Sequence, residues 1–221
     1  MKLRTDSKSI AILAIFTSII VALEVFPVPG VTDIIVLPAP RFTIDWTGIP
    51  LVMIFIGLGF LASMISMVIM VIAILYRNPI GAVFKGFAEL FTLLGLAIGY
   101  LVLRKREVSK PRRWAVYLIM GVTFRSVGMF FMNIVLLPAL LPVFYDLNGA
   151  IVASTILVPL NAAQAVINIV GGIVFYNLIP KNLQISAGLG EFYEPSKTIR
   201  ELPVEEIEEA ESREEHEESN D

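Results

Sequence analysis

The stretch PLNAAQAVINIVGGIVFYNLIP, residues 159–180, is the part of the chain from which its architecture can be worked out. It is mostly apolar and, at 1.5 Å per helical residue, long enough to cross a hydrocarbon layer of about 30 Å. Asn161, Gln164 and Asn168 interrupt it at spacings of three and four residues, which places them on one face of a helix. An amide facing lipid is costly without a partner, so we expect this face to meet protein, water or a ligand.

The composition indicates an integral membrane protein with a distinct tail. Hydrophobic residues make up 56% of the 221 residues, above the roughly 45–50% that is usual in soluble proteins. Residues 1–190 carry fourteen Lys and Arg against seven Asp and Glu, a net charge of +7, whereas residues 191–221 carry three against thirteen, a net charge of −10. We therefore predict a membrane domain over 1–190 and an acidic, disordered cytoplasmic tail over 191–221.

Several kinds of chemistry find no matching residues in the sequence. There is no cysteine, no GxxxxGK[ST] phosphate loop and no HExxH motif, and the only histidine, His216, lies in the acidic tail. A Ser–Lys dyad stays open in principle, but nothing in the sequence places a serine beside Lys85. We predict no catalytic residues, no metal, no cofactor and no nucleic-acid partner, and we expect this chain alone not to hydrolyse ATP.

The first apolar segment, Ser9 to Phe26, follows a positively charged start, MKLRTDSK. A signal peptide begins in the same way, but Pro27, Pro29 and Gly30 stand where a small-x-small cleavage site would be, which favours a retained helix. Small residues recur along this helix, and a ridge of that kind lets another helix approach closely in lipid. Docking of a partner and packing within this chain both remain open for the ridge, which consists of Ala11, Ala14, Ser18 and Ala22.

Charge positions decide the number of crossings between the N-terminus and the basic segment 104–113, which holds six Lys and Arg. Both are expected on the cytoplasmic side, so an even number of crossings separates them. The first helix and a helix over Pro79–Leu103 supply two, and the uncharged 48–76 must supply none or two. A single helix of that length would measure about 43 Å, so we predict two short crossings that turn near Gly57–Gly59.

The remaining segments complete a predicted bundle of six transmembrane helices with both termini cytoplasmic. Residues 27–47 are rich in proline and predict an ordered external loop. A long helix is expected from Trp114 to about Leu141, and residues 141–158 are expected to form an outer, partly re-entrant connection. Pro159 suits the first turn of the last helix, which would end at Leu178.

Ionisable groups within the predicted spans are few, and each is a candidate for function. Glu89 and Arg125 lie on the fourth and fifth helices and are natural candidates for an ion pair, and Asn133 lies two turns beyond Arg125. With the three amides of the last helix they are expected to line one cavity in the outer half of the bundle. A pair that only fixes helix register, and amides that only bond between helices, are the alternatives. Lys85 and Glu24 lie nearer the outer interface, where snorkelling accounts for them.

Four stretches in this order resemble the substrate-binding S components of energy-coupling-factor (ECF) vitamin transporters, most closely the riboflavin-specific type. They are the small-residue first helix, F-T-I-D-W-T-G-I-P (42–50), N-I-V-L-L-P (133–138) and V-P-L-N-A-A-Q-A (158–165). The last three are similar to the family's I-D-F-S-D-I-P, N-Y-F-V-L-L-P and V-P-F-N-L-L-K-G. The likeness covers roughly residues 8–182 and leaves out the acidic tail.

The resemblance implies a vitamin-binding subunit of the cell membrane that works with a transmembrane coupling subunit and two ATPase subunits. Its first helix would dock the coupling subunit. In the riboflavin members of the family, the two positions matching Asn161 and Gln164 contact the ligand, and the asparagine matching Asn133 lies at the site. With the polar groups described above, the predicted ligand-binding residues are Asp45, Trp46, Thr47, Glu89, Arg125, Asn133, Asn161, Gln164 and Asn168. Glu89 stands in A-E-L-F, similar to the family's G-E-L-A-N.

The chain departs from the family pattern at several polar positions. Gln164 stands where the family has a ligand-contacting lysine, and Thr92 replaces the asparagine after G-E-L-A. Arg125 stands where the family usually has an uncharged residue. Riboflavin is therefore the leading ligand, and another planar, amide-rich vitamin or an anionic relative is the alternative. An intramembrane enzyme acting on a lipid or isoprenoid is the alternative from another class.

Overall fold

A computed structural model describes residues 6–37, 42–104, 108–187 and 189. Seven helices and one two-stranded antiparallel hairpin make up the described chain. In chain order they are α1 (Ser7–Val25), β1 (Asp33–Leu37), β2 (Phe42–Asp45), α2 (Gly48–Leu58), α3 (Phe60–Leu75), α4 (Pro79–Leu103), α5 (Lys110–Leu140), α6 (Leu147–Leu178) and α7 (Lys181–Ser186). The predicted tail, 191–221, lies outside the described residues, as do residues 105–107 of the basic segment.

Four of the described helices, α1, α4, α5 and α6, are long and apolar enough to cross a membrane. The outward surfaces of α5 and α6 fit that environment, because large apolar side chains there stand more than 60% exposed, among them Ile119, Phe131, Val135 and Leu178. Polar side chains are instead buried between the helices. An apolar outside around a polar inside is the arrangement that lipid favours, and it supports the predicted class of helical membrane protein.

The uncharged segment 48–76 is broken into two short helices, as the sequence predicts. The break falls at Gly59, whose φ of +93° is one that residues with a side chain rarely adopt. Gly48 at the start of α2 packs against Asn168 of α6, and Gly57 near its end packs against Tyr176. Helix α2 therefore runs alongside α6 in the same direction, and all eleven of its residues are buried.

Helix α3 returns from Gly59 towards the level of the hairpin. Arg77, just past its end, lies 4.0 Å from Glu24 at the end of α1, and Thr17 of α1 contacts Ser66 of α3 through their hydroxyls at 2.6 Å. The chain thus reverses at Gly59. Helices α2 and α3 have 11 and 16 residues, shorter than the four long apolar helices.

The prediction for residues 141–158 is wrong in its main feature. Helix α6 begins at Leu147, twelve residues before Pro159, and continues through the proline to Leu178. Asp146 is the N-cap that the sequence reading missed, and its carboxylate accepts a hydrogen bond from the Gly149 N–H at 2.7 Å. Inside a membrane bundle a proline does not end a helix, because packing neighbours and Ser and Thr side chains support the backbone around it.

The predicted external loop holds the β1–β2 hairpin, which the sequence reading described only as ordered. Asp33 pairs with Asp45 and Ile34 with Ile44, with an irregularity between Ile35 and Leu37. β2 contacts α6, and α2 begins three residues after β2 ends. The hairpin therefore packs against the helices, and its end at Asp45 brings the first of the predicted site residues to them.

Candidate functional site: a buried polar network between the hairpin and three helices

An ion pair between Glu89 of α4 and Arg125 of α5 forms the centre of the site, as the sequence reading proposed. Arg125 Nη1 donates to Glu89 Oε1 at 2.6 Å, and the two side chains are 5% and 1% exposed. The same Nη1 also donates to Thr92 Oγ1 at 3.2 Å, whose hydroxyl donates to the Ala88 carbonyl one turn back. The hydroxyl at position 92 thus serves as an acceptor for the arginine.

The amides of α6 extend this pair towards the hairpin. Asn168 Nδ2 donates to Glu89 Oε1 at 3.1 Å, and Gln164 Nε2 donates to Asn168 Oδ1 at 2.8 Å. Both amides are at most 1% exposed. A chain of hydrogen bonds therefore runs from Arg125 through Glu89 and Asn168 to Gln164, and each link lies away from water, where such bonds are electrostatically strong.

Gln164 also holds the hairpin in place. Its Nε2 donates to the Asp45 carbonyl at 2.7 Å, and its Oε1 accepts from the Asp45 N–H at 3.3 Å. One side-chain amide thereby pairs with both backbone groups of one residue, as a neighbouring strand would. In this conformation Gln164 is bonded to the protein itself, and the network lies beneath the hairpin.

The side chain of Asp45 ties the hairpin to two more helices. Its Oδ2 lies 2.9 Å from Lys85 Nζ of α4, which also pairs with Glu24 of α1. Its Oδ1 accepts from the N–H and hydroxyl of Thr47, at 3.1 and 2.6 Å. Burial acts to raise the pKa of Asp45, but the Lys85 ammonium and the Thr47 hydroxyl outweigh it, so the pKa lies below its ordinary value of 3.8.

This cluster corrects the sequence reading of Lys85 and Glu24, which assigned both to the interface by snorkelling. The side chains are only 17% and 7% exposed and are paired with each other. The sequence indicates part of this pairing, since charged residues near helix ends need either water or a partner. Only the folded hairpin supplies the second carboxylate, and no spacing in the sequence indicates that contact.

The other predicted ligand contacts are buried or held locally. Asn161 is 2% exposed and donates to the Leu157 carbonyl of its own helix, and Asn133 of α5 is 1% exposed. Trp46 is 39% exposed, and its indole N–H donates to the Val31 carbonyl within the loop at 2.6 Å, so it lies apart from the network. Glu89, Arg125, Gln164 and Asn168 are directly joined, and Asp45 reaches them through its backbone.

The small residues of α1 lie on the outside of the bundle. Ala11, Ala14, Ser18 and Ala22 are all exposed, which excludes packing within the described chain as the reason for their spacing. Three of them, Ala14, Ser18 and Ala22, border a groove of about 590 Å³ between α1 and α3. The opposite wall of the groove comes from Ile65 and Ile69, so it is almost entirely apolar.

The fold and this network define the chain as an α-helical membrane protein with a buried polar centre. No model of a known protein family matches the chain, and no curated protein is significantly similar to it.

Proposed function

We propose that the protein is the substrate-binding S component of an ECF-type vitamin transporter and that it binds riboflavin or a related flavin. It would reside in the cell membrane as six crossing helices, with both termini in the cytoplasm. Catalysis is assigned to none of its residues. Transport would be energised by two ATPase subunits through a transmembrane coupling subunit.

The observation that carries the proposal is the hydrogen bonding between separate family-like stretches. Gln164 of the 158–165 stretch pairs with Asp45 of the 42–50 stretch, 119 residues away in sequence. Asn168, one turn further along α6, joins this pair to Glu89 and Arg125. Two of the family-like stretches, 42–50 and 158–165, therefore meet at one buried polar centre.

Its chemistry supports a binding site more than a structural ion pair. A buried ion pair adds little net stability over apolar side chains of equal volume, so stability alone does not account for Glu89 and Arg125. Amides surrounded by helices are suited to reading the polar edge of a heterocycle, since each side chain offers both a donor and an acceptor. The exposed ridge on α1 supports a docking surface for the coupling subunit.

Ligand binding tests the proposal directly. The purified full chain in detergent is titrated with riboflavin, whose fluorescence is quenched on binding, and then with a panel of other vitamins. We expect saturable binding of riboflavin at micromolar concentration or below. Asn161→Leu is expected to abolish it while the protein still elutes as a folded, helical species, and unchanged affinity in that variant would refute the pocket assignment. The absence of saturable binding across the panel would refute the proposed function.

A further inference from the structure

Three polar atoms on α5 are buried and have no hydrogen-bond partner within the described part of the chain. They are Arg125 Nε, Ser126 Oγ and Asn133 Nδ2, and their residues are at most 9% exposed. Buried polar groups are nearly always paired, because leaving a donor unpaired forfeits its hydrogen bonds to water. Three such atoms within nine residues of one helix call for an explanation by function.

All three atoms are able to donate. Arg125 Nε and Asn133 Nδ2 can only donate a hydrogen bond, and the Ser126 hydroxyl can do so. The guanidinium of Arg125 uses Nη1 for Glu89 and Thr92, and its Nε–H has no partner among the described residues. A ligand that pairs with this set presents acceptor atoms, such as carbonyl oxygens or ring nitrogens.

Spacing along α5 gives the length of that ligand. Ser126 and Asn133 are seven residues apart, which puts them on the same face about 10.5 Å apart along the helix axis. Met129 lies between them on this face and is 4% exposed. Its flexible thioether side chain is suited to an apolar, adaptable contact. The face therefore offers donors at both ends and an apolar middle.

Helix α6 runs antiparallel beside this face, in a register fixed by two contacts. Gly121 packs against Ile169, and Leu137 packs in one cluster with Ala150 and Ala153. Equal rise along the two helices then places Met129 at the level of Asn161. The predicted amide contacts of α6 and the unpaired donors of α5 thus lie at the same depth of the bundle.

The charges of the network indicate the ligand's own charge. Arg125 and Glu89 already neutralise each other. A negative group brought beside them would add an uncompensated charge at a depth where charge is costly. An uncharged group with acceptor atoms satisfies the donors without that cost.

We propose that Ser126 and the Nε–H of Arg125 are ligand contacts, which recognise acceptor atoms at one end of an uncharged, elongated ligand whose other end meets Asn133. This inference rests on the proposed function and deepens it. A flat fused-ring vitamin with carbonyl groups or ring nitrogens towards its ends has the required length and polarity. The anionic alternative left open by the sequence is then disfavoured.

Two substitutions test the contacts by riboflavin titration of the full chain. Ser126→Ala removes the hydroxyl, and Arg125→Lys keeps a positive charge for Glu89 but removes the Nε–H. Each is expected to weaken riboflavin binding by about threefold to tenfold, the loss of one hydrogen bond. Ser63→Ala is the matched control, because Ser63 is also buried and its hydroxyl is already bonded to the Gly59 carbonyl at 2.9 Å. It is expected to bind with unchanged affinity.

A second readout separates a ligand contact from a structural residue. Without ligand, Ser126→Ala is expected to unfold at the same or a higher temperature than the wild type, because it removes an unpaired buried donor. A lower unfolding temperature would show that Ser126 has a structural partner and would overturn the inference. Wild-type riboflavin affinity in both variants would also overturn it and leave the proposed function standing.

The vitamin panel tests the ligand's charge. Preferential binding of pantothenate or nicotinate, which are carboxylates, would support a vitamin-binding function but overturn the uncharged class. Failure of the wild-type chain to bind any member would overturn both the function and this inference. Riboflavin binding that weakens in both variants, with the control unchanged, would support both.

Discussion

Removing Arg125 is expected to cost far more than removing the pair that it forms with Glu89. In Arg125→Met the Glu89 carboxylate, 1% exposed, keeps Asn168 as its amide partner but loses its counter-charge at 2.6 Å. Breaking a buried pair from one side typically destabilises a protein by about 3–5 kcal/mol. The double variant Glu89→Gln/Arg125→Met removes both charges and is expected to lie within about 1–2 kcal/mol of the wild type, since apolar or neutral replacements of buried pairs are often tolerated.

The measurement is a double-mutant cycle of unfolding free energies in mixed micelles, followed by helical circular dichroism. With each single substitution costing about 3–5 kcal/mol and the double variant about 1–2 kcal/mol, the coupling between the two charges is expected to be at least about 4 kcal/mol. Arg77→Met is the matched control, because the Arg77 side chain is 37% exposed and lies 4.0 Å from Glu24. Because Arg77 is partly exposed and its distance to Glu24 is long for an ion pair, this contact is expected to be worth about 0–1 kcal/mol. Additive effects of the two single substitutions would refute the ion pair as the organising contact of the network.

Three further predictions concern the hairpin and the ridge. Gln164→Leu removes both hydrogen bonds to Asp45, so limited proteolysis is expected to cut within 27–47 faster than in the wild type, and equal rates would argue against the clasp. Because the pKa of Asp45 is lowered, the stability from its ion pair is complete above the unfolded value of about 3.9 and is lost as the pH falls through the folded pKa. On acidification, the unfolding temperature of Asp45→Asn should accordingly fall less than that of the wild type. Identical dependences of the unfolding temperature on pH would contradict this role of Asp45. Replacing Ala14 and Ser18 with leucine is expected to block co-purification with a coupling subunit and spare riboflavin binding, whereas intact assembly would exclude the ridge as the docking surface.

Much of the helical architecture follows from local signals. The break in 48–76 is predictable because one uncharged helix of that length would be longer than the bilayer is thick. Gly59 supplies the turn, since glycine readily adopts the positive φ found there. Helix α4 has the predicted bounds, Pro79–Leu103. The predicted start of α6 at Pro159 is wrong, because the helix is capped at Asp146 and continues through the proline, and both are local signals.

The ridge on α1 shows where a pattern needs the fold to be interpreted. Small residues at regular spacing indicate a close helix approach but do not say by which helix. All four are exposed in the described part of the chain, which argues against close packing by any described helix. The partner itself remains a proposal.

The sequence by itself determined that the chain is a helical membrane protein, that 159–180 carries an amide face, and that Glu89 and Arg125 need partners. These conclusions depend on hydropathy and helical period, which are properties of neighbouring residues. Only the tertiary structure decided which partners they have. The pairing of Gln164 with the Asp45 backbone, and of Lys85 with Asp45 and Glu24, joins groups far apart in the chain. Such contacts depend on how the hairpin packs against three helices, and the spacing of neighbouring residues does not determine that packing.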